Sequence, residues 1–129
     1  MDPVTRARIN TQVMQTLAEL LVSQVKDPRV EAVTVTGVEV TPDLAWAKVY
    51  FSVLGDEEAR RVAERGLANV AGFLRREVGR RLRLRTSPQL RFVFDASLEH
   101  GQRIETLLRE WHEEEAERPR SGETPEDEA

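Results

Sequence analysis

Ten arginines lie between Arg60 and Arg91, at positions 60, 61, 65, 75, 76, 80, 81, 83, 85 and 91, against only Glu64 and Glu77. A guanidinium keeps its charge at any physiological pH and forks two phosphate oxygens at once, so such a cluster is chemistry for holding a polyanion. The densest run is Val70-Ala71-Gly72-Phe73-Leu74-Arg75-Arg76-Glu77-Val78-Gly79-Arg80-Arg81-Leu82-Arg83-Leu84-Arg85. At about 100° per residue, Leu74, Val78 and Leu82 share one side of a helix while Arg76, Arg80 and Arg83 gather opposite, with Arg75, Arg81 and Arg85 at the edges. A face built for solubility mixes signs, and like charges three or four residues apart weaken a helix. An external ligand is therefore expected to favour this one.

Residues suited to a reaction are scarce. His100 and His112 are the only histidines, too far apart for a metal pair on one helix face, and there is no cysteine to supply a thiolate ligand, a nucleophile or a disulfide. No glycine-rich phosphate loop and no serine in a nucleophile-elbow setting is present. Asp56, Glu57 and Glu58 are paired carboxylates only in appearance, because capping and the positive end of a following helix account for them. Neither a catalytic residue nor a metal site nor a cofactor is expected.

The net charge of -4 conceals a division. From His112 onward eight acids face only Arg118 and Arg120, leaving seventeen basic against fifteen acidic residues in 1–111. Separated charges do not cancel locally. We read 1–111 as one domain and 112–129 as an acidic, disordered tail with nothing to bury. No apolar run approaches the roughly 20 residues that span a bilayer, and no apolar segment follows the first charges, so neither a membrane partner nor a secretory signal is expected and the location is cytoplasmic.

The elements that must carry the basic run follow from periodicity. Ile9, Val13, Leu17, Leu20 and Leu21 predict an amphipathic helix over about Thr5 to Val25, stopped by Asp27-Pro28. Val33-Thr34-Val35-Thr36 alternates as a strand. The parity changes at Gly37, which predicts a bulge before Val38 and Val40. After the turn at Thr41-Pro42-Asp43-Leu44, Ala47, Val49, Phe51 and Val53 form the inward set of an antiparallel partner strand. Asp56 caps a second helix to about Gly72, and a third runs through Leu82. Glycine costs a helix interior about 1 kcal/mol relative to alanine, so a break or a close backbone contact is expected at Gly72 or Gly79; we place a kink at Gly72, with Phe73 packed beneath it. Leu90, Phe92 and Phe94 predict a third strand, and Ser97 caps a last helix with Ile104, Leu107, Leu108 and Trp111 inward. The sum is an α+β domain of helices on one face of a three-stranded sheet, with strand order left open.

Over residues 4 to 108 the sequence resembles the bacterial ribosome-binding factor A family. The likeness rests on Lys26-Asp27-Pro28-Arg29-Val30, on Val33 to Leu44, on Ala47-Lys48-Val49-Tyr50 with Ser52-Val53-Leu54-Gly55, on Gly72-Phe73-Leu74-Arg75 with Arg81-Leu82-Arg83-Leu84-Arg85, on Pro88-Gln89-Leu90-Arg91-Phe92 and on Asp95-Ala96-Ser97-Leu98-Glu99. It implies a KH-like fold of type II topology, in which a kinked helix pair with an Ala-x-Gly element replaces the Gly-x-x-Gly clamp. The kink maps to Val70, Ala71 and Gly72, with valine where the family motif has alanine. The resemblance also implies a monomer that binds the immature small ribosomal subunit and its RNA, ribosomal proteins being further contacts. It implies help in processing the 5' end of that RNA and support of growth in the cold, without a cofactor. RNA contacts are expected at Arg75, Arg76, Arg80, Arg81, Arg83 and Arg85, helped by Lys26 and Arg29 and by Arg6 and Arg8. The competing reading is a protein-interaction module without direct RNA contact.

Overall fold

The computed structural model describes residues 1–96; the helix predicted from Ser97 and the acidic segment lie outside the described residues. Helix α1 spans Pro3–Ser23. It begins two residues before the predicted start because Asp2 caps it, accepting the Thr5 N–H at 2.8 Å, and Pro3 enters the first turn, where a missing N–H costs nothing. Its inward face buries Val13, Thr16, Leu17 and Leu20. A single 3-10 turn, Pro28–Val30, then leads into the sheet, with Asp27 as its cap.

Strands β1 (Val33–Val40) and β2 (Trp46–Val53) pair antiparallel. Val35 faces Phe51 and Gly37 faces Tyr50, which leaves Thr36 as the extra residue of a bulge. The bulge turns Val38 and Val40 inward beside Val35, as the parity change predicts. On β2 the inward set of Ala47, Val49 and Phe51 is fully buried. Asn10 of α1 accepts the N–H of Val40 at 2.8 Å and so fastens the helix to the sheet edge.

Helix α2 runs unbroken from Glu57 to Arg81, capped by Asp56, which accepts the Ala59 N–H at 2.9 Å. Two helices meeting at Gly72 are predicted; one is found. A Cβ at Gly72 would meet only the tip of Arg76, at 3.4 Å, so no close neighbour demands glycine there. The buried stripe of Ala63, Gly66, Leu67, Leu74 and Val78 passes the position on both sides, and that packing outweighs the glycine's cost. The close contact is instead at Gly79, where a Cβ would overlap Ser87 and lie 2.9 Å from its Cβ. Phe73 packs against the core, as expected.

The long crossover through α2 lets β3 (Gln89–Phe94) pair parallel to β2, giving the order β1-β2-β3 with β2 central. Phe92 and Phe94 join the inner layer, and Phe94 meets Phe51 edge to face with ring centroids 5.8 Å apart. The result is an α+β layer with both helices against one sheet face.

Candidate nucleic-acid interface

The apolar stripe of α2 fixes which way its arginines point. With Leu74 and Val78 fully buried against the sheet, Arg76 and Arg80, one turn apart, are forced into solvent. Helical geometry then ends. Leu82 is the C-cap, Arg83 adopts a left-handed conformation at φ 54°, and the N–H of Leu84 returns to the Gly79 carbonyl at 3.0 Å. Arg83 and Arg85 are thus carried by the turn leading to β3, whereas the predicted helix continues Arg83 along the Arg76 and Arg80 face. Arg83 stands where helices favour glycine, at a cost of about 1 kcal/mol.

Partners divide the predicted cluster. Arg75 is half-buried and its Nε donates to the Ser87 carbonyl at 3.2 Å, which closes the turn against the helix. Arg80 lies 2.6 Å from Glu77, and Arg81 reaches both Glu77 at 3.4 Å and Glu19 of α1 at 3.5 Å. The hydrogen bond from Arg80 is the main reason the Glu77 carboxyl is held below the usual carboxylate range, with Arg81 adding to it. Arg76, Arg83 and Arg85 are exposed, and among the described residues their side chains have no hydrogen-bonding or ion-pair partner. Three cations therefore keep their field for an outside ligand, and three are committed to the fold.

The other predicted contacts lie elsewhere. Arg29 is bound to Asp27 through Nε and Nη2, the latter at 2.7 Å, and Asn69 of α2 donates to the same carboxylate at 3.1 Å. Those bonds, Arg29 first, hold the Asp27 carboxyl well below the usual range. The loop presses on α2 so closely that a Cβ at Gly66 would stand 2.7 Å from the Cβ of Arg29. Ten residues separate Gly66 from Arg76, about 15 Å of helix. Lys26 is exposed beside this loop, and Arg6 and Arg8 are exposed at the start of α1, about 16 to 20 Å of helix from Glu19, where Arg81 docks. The ten predicted cations thus form a strong group at the end of α2 and two outlying pairs. Asp27 and Asn69 escaped sequence reasoning as a coupled pair; the Asp-Pro stop marks the carboxylate, but nothing local marks its partner 42 residues on.

Among the described residues there is no cluster of three histidine, cysteine or acidic side chains able to hold a metal ion, and no helix long and apolar enough to cross a membrane. The α+β sheet with its cationic helix end defines a KH-like domain with an exposed cationic surface. Over residues 5–108 the sequence matches the model of the family described as ribosome-binding factor A, and the chain belongs to that family. A ribosome-binding factor A from Geobacter sulfurreducens is 46% identical over 103 residues, covering 80% of this chain and 87% of the relative. The crystal structure of ribosome-binding factor A from Thermus thermophilus is similar with a TM-score of 0.60 and 31% identity, covering 68% of this chain and 93% of that one. A model of the Thermus thermophilus factor fitted into a cryo-EM map of its 30S complex matches with a TM-score of 0.58 and 30% identity, over 70% of this chain and 96% of that one.

Proposed function

We propose that this protein is a ribosome assembly factor that binds the immature small ribosomal subunit and its RNA. The observation that carries the reading is the set of exposed guanidiniums of Arg76, Arg83 and Arg85 at the end of α2, unpaired among the described residues, in a chain whose family is named for ribosome binding. RNA phosphates dock there, with Arg75, Arg80 and Arg81 shaping the site and Lys26, Arg29, Arg6 and Arg8 making outlying contacts. The same ribosomal surface brings ribosomal proteins within reach of the domain. The factor acts in the cytoplasm as a monomer, by binding alone and without a cofactor. It assists late maturation, including processing of the RNA 5' end, by holding one arrangement of flexible RNA more tightly than the others; differential affinity is what moves such an equilibrium. Val70, Ala71 and Gly72 are where α2, unbroken in the free domain, bends on docking, and the segment from His112 is an acidic appendage to the domain.

Sedimentation of a lysate tests the reading. Co-migration with free small subunits should weaken with salt by roughly the 0.7 power per phosphate neutralised on single strands, and nuclease should abolish it. The triple change Arg76→Glu, Arg80→Glu and Arg83→Glu should remove co-migration while the circular dichroism spectrum stays that of the parent. Co-migration that survives nuclease would replace RNA contact with a protein interaction.

A further inference from the structure

The sheet has a second face, and it is not apolar. On β2 the residues that alternate with buried Ala47, Val49 and Phe51 are Trp46, Lys48 and Tyr50, and they point away from the helices. Trp46 is 50% exposed, a large fraction for the largest side chain, although its backbone is clamped: its N–H donates to Thr41 Oγ1 at 3.0 Å and its carbonyl accepts the Thr41 N–H at 2.9 Å. In register beside it on β3 are Gln89, opposite Trp46, and Arg91, opposite Lys48. Both cations are exposed. The one carboxylate in the adjoining β1 row, Glu39 opposite Lys48, accepts a hydrogen bond from the Tyr50 hydroxyl at 3.2 Å. A half-exposed indole on a clamped backbone beside two cations is the arrangement on which an unpaired base stacks while its neighbouring phosphates are neutralised.

We propose that this outer face is a second RNA contact, in which Trp46 stacks on an unpaired base and Lys48 and Arg91 hold the flanking phosphates of a single strand. The inference rests on the RNA reading of the α2 end but concerns a different surface and a different force. Guanidiniums at the helix end read charge, whereas an indole reads the base itself. A strand held at both places is fixed in register as well as attracted, which is the kind of differential grip that selects one RNA arrangement.

Tryptophan emission tests it on the full chain. Trp111 is the only other tryptophan, so Trp111→Phe leaves Trp46 as the reporter. The probes are an oligouridylate of about twelve nucleotides and a sugar-phosphate strand of equal length without bases. Oligouridylate should quench Trp46, and the base-free strand should bind through charge and leave the emission unchanged. By anisotropy of the labelled oligonucleotide, Trp46→Ala should weaken binding about 5- to 150-fold at low and at high salt alike, because stacking releases no counterions. Trp46→Tyr should restore most of the affinity. Lys48→Gln with Arg91→Gln should instead lower the salt slope by about 1.4. If oligouridylate binds while Trp46 emission is unmoved and Trp46→Ala matches its parent, the outer face is no contact and the α2 reading stands without it. Emission that changes with protein concentration alone assigns the face to a second copy of the chain and overturns the proposal. If neither probe binds the parent, both readings fall.

Discussion

The two halves of α2 carry similar numbers of arginines and use them in opposite ways. In the first half Arg60 pairs with Glu64 at 3.1 Å, Arg61 lies near Glu57 and Glu58, and Arg65 near Glu58. These are exposed pairs one or two turns apart, worth little to stability, and each guanidinium's field is answered on its own helix. In the second half Glu77 serves Arg80 and, with Glu19 of α1, Arg81, while Arg76 in the helix and Arg83 and Arg85 in the turn that follows it have no partner among the described residues. A count of arginines therefore misjudges a surface. What a ligand meets is the charge that remains after the fold has matched its own.

The contrast is broken most directly by truncating each set. Arg76→Ala, Arg83→Ala and Arg85→Ala together remove about three phosphate contacts, so affinity for single-stranded RNA should fall about 100-fold at ~0.1 M salt, with a correspondingly flatter salt slope. Arg61→Ala with Arg65→Ala should change it less than about threefold. Equal losses from both sets, measured by anisotropy titration over a salt series, would mean that ion pairing on the helix does not decide the site.

Glycines sharpen the comparison by stability. At Gly79 a new Cβ meets Ser87 at its Cβ and, at 3.2 Å, its Cα, so relief requires moving backbone. Gly79→Ala should destabilise by about 1–3 kcal/mol in urea unfolding. Gly72→Ala faces only a mobile arginine tip and should stabilise by about 0.5–1 kcal/mol. A Gly72→Ala protein that gains stability and loses RNA affinity would show that the helix must bend at this point to bind; one that keeps its affinity would remove the bend from the mechanism.

Arg83 sets stability against binding within one residue. Its left-handed backbone suits glycine, so Arg83→Gly should raise the unfolding free energy by about 1 kcal/mol. It also deletes one of the three guanidiniums at this end that have no partner among the described residues, so affinity should fall about fivefold at ~0.1 M salt. A rise in both quantities would mean that Arg83 faces no phosphate.

The legible parts of the fold are those written locally. Alternation in Val33 to Val40 with its break at Gly37, the inward set Ala47, Val49 and Phe51, and the Asp56 cap all have causes within a few residues. Gly72 was misread because its cost is local while the packing that offsets it comes from the sheet. Gly79 looked equivalent, and only the returning chain at Ser87 distinguishes the two. The site was half legible for the same reason. Helical spacing gives the direction of Arg76 and Arg80, but the Arg81 to Glu19 pair joins residues 62 positions apart and the turn of Arg83 depends on where β3 begins. Trp46, Lys48 and Tyr50 were missed although their parity is explicit, because the same alternation had already been read for what it buries.

The smallest effect separates the two regions by their carboxylates. Asp27 braces the loop against the first half of α2, and Glu77 sits in the second half; hydrogen bonds from arginine lead the causes that hold both below their ordinary values of 3.8 and 4.5. A carboxyl lowered by folding stabilises the native state fully above its unfolded value, and that stabilisation is lost as pH falls toward the folded one. The urea midpoint should therefore hold steady above about pH 5 and decline from there toward about pH 2. Asp27 carries the larger lowering and binds two elements together, whereas Glu77 bonds only to side chains on its own helix. Asp27→Asn should flatten the acid decline visibly, and Glu77→Gln should leave most of it. The reverse ranking would mean that the charge-rich end of α2, not the loop, is where acid first loosens the fold.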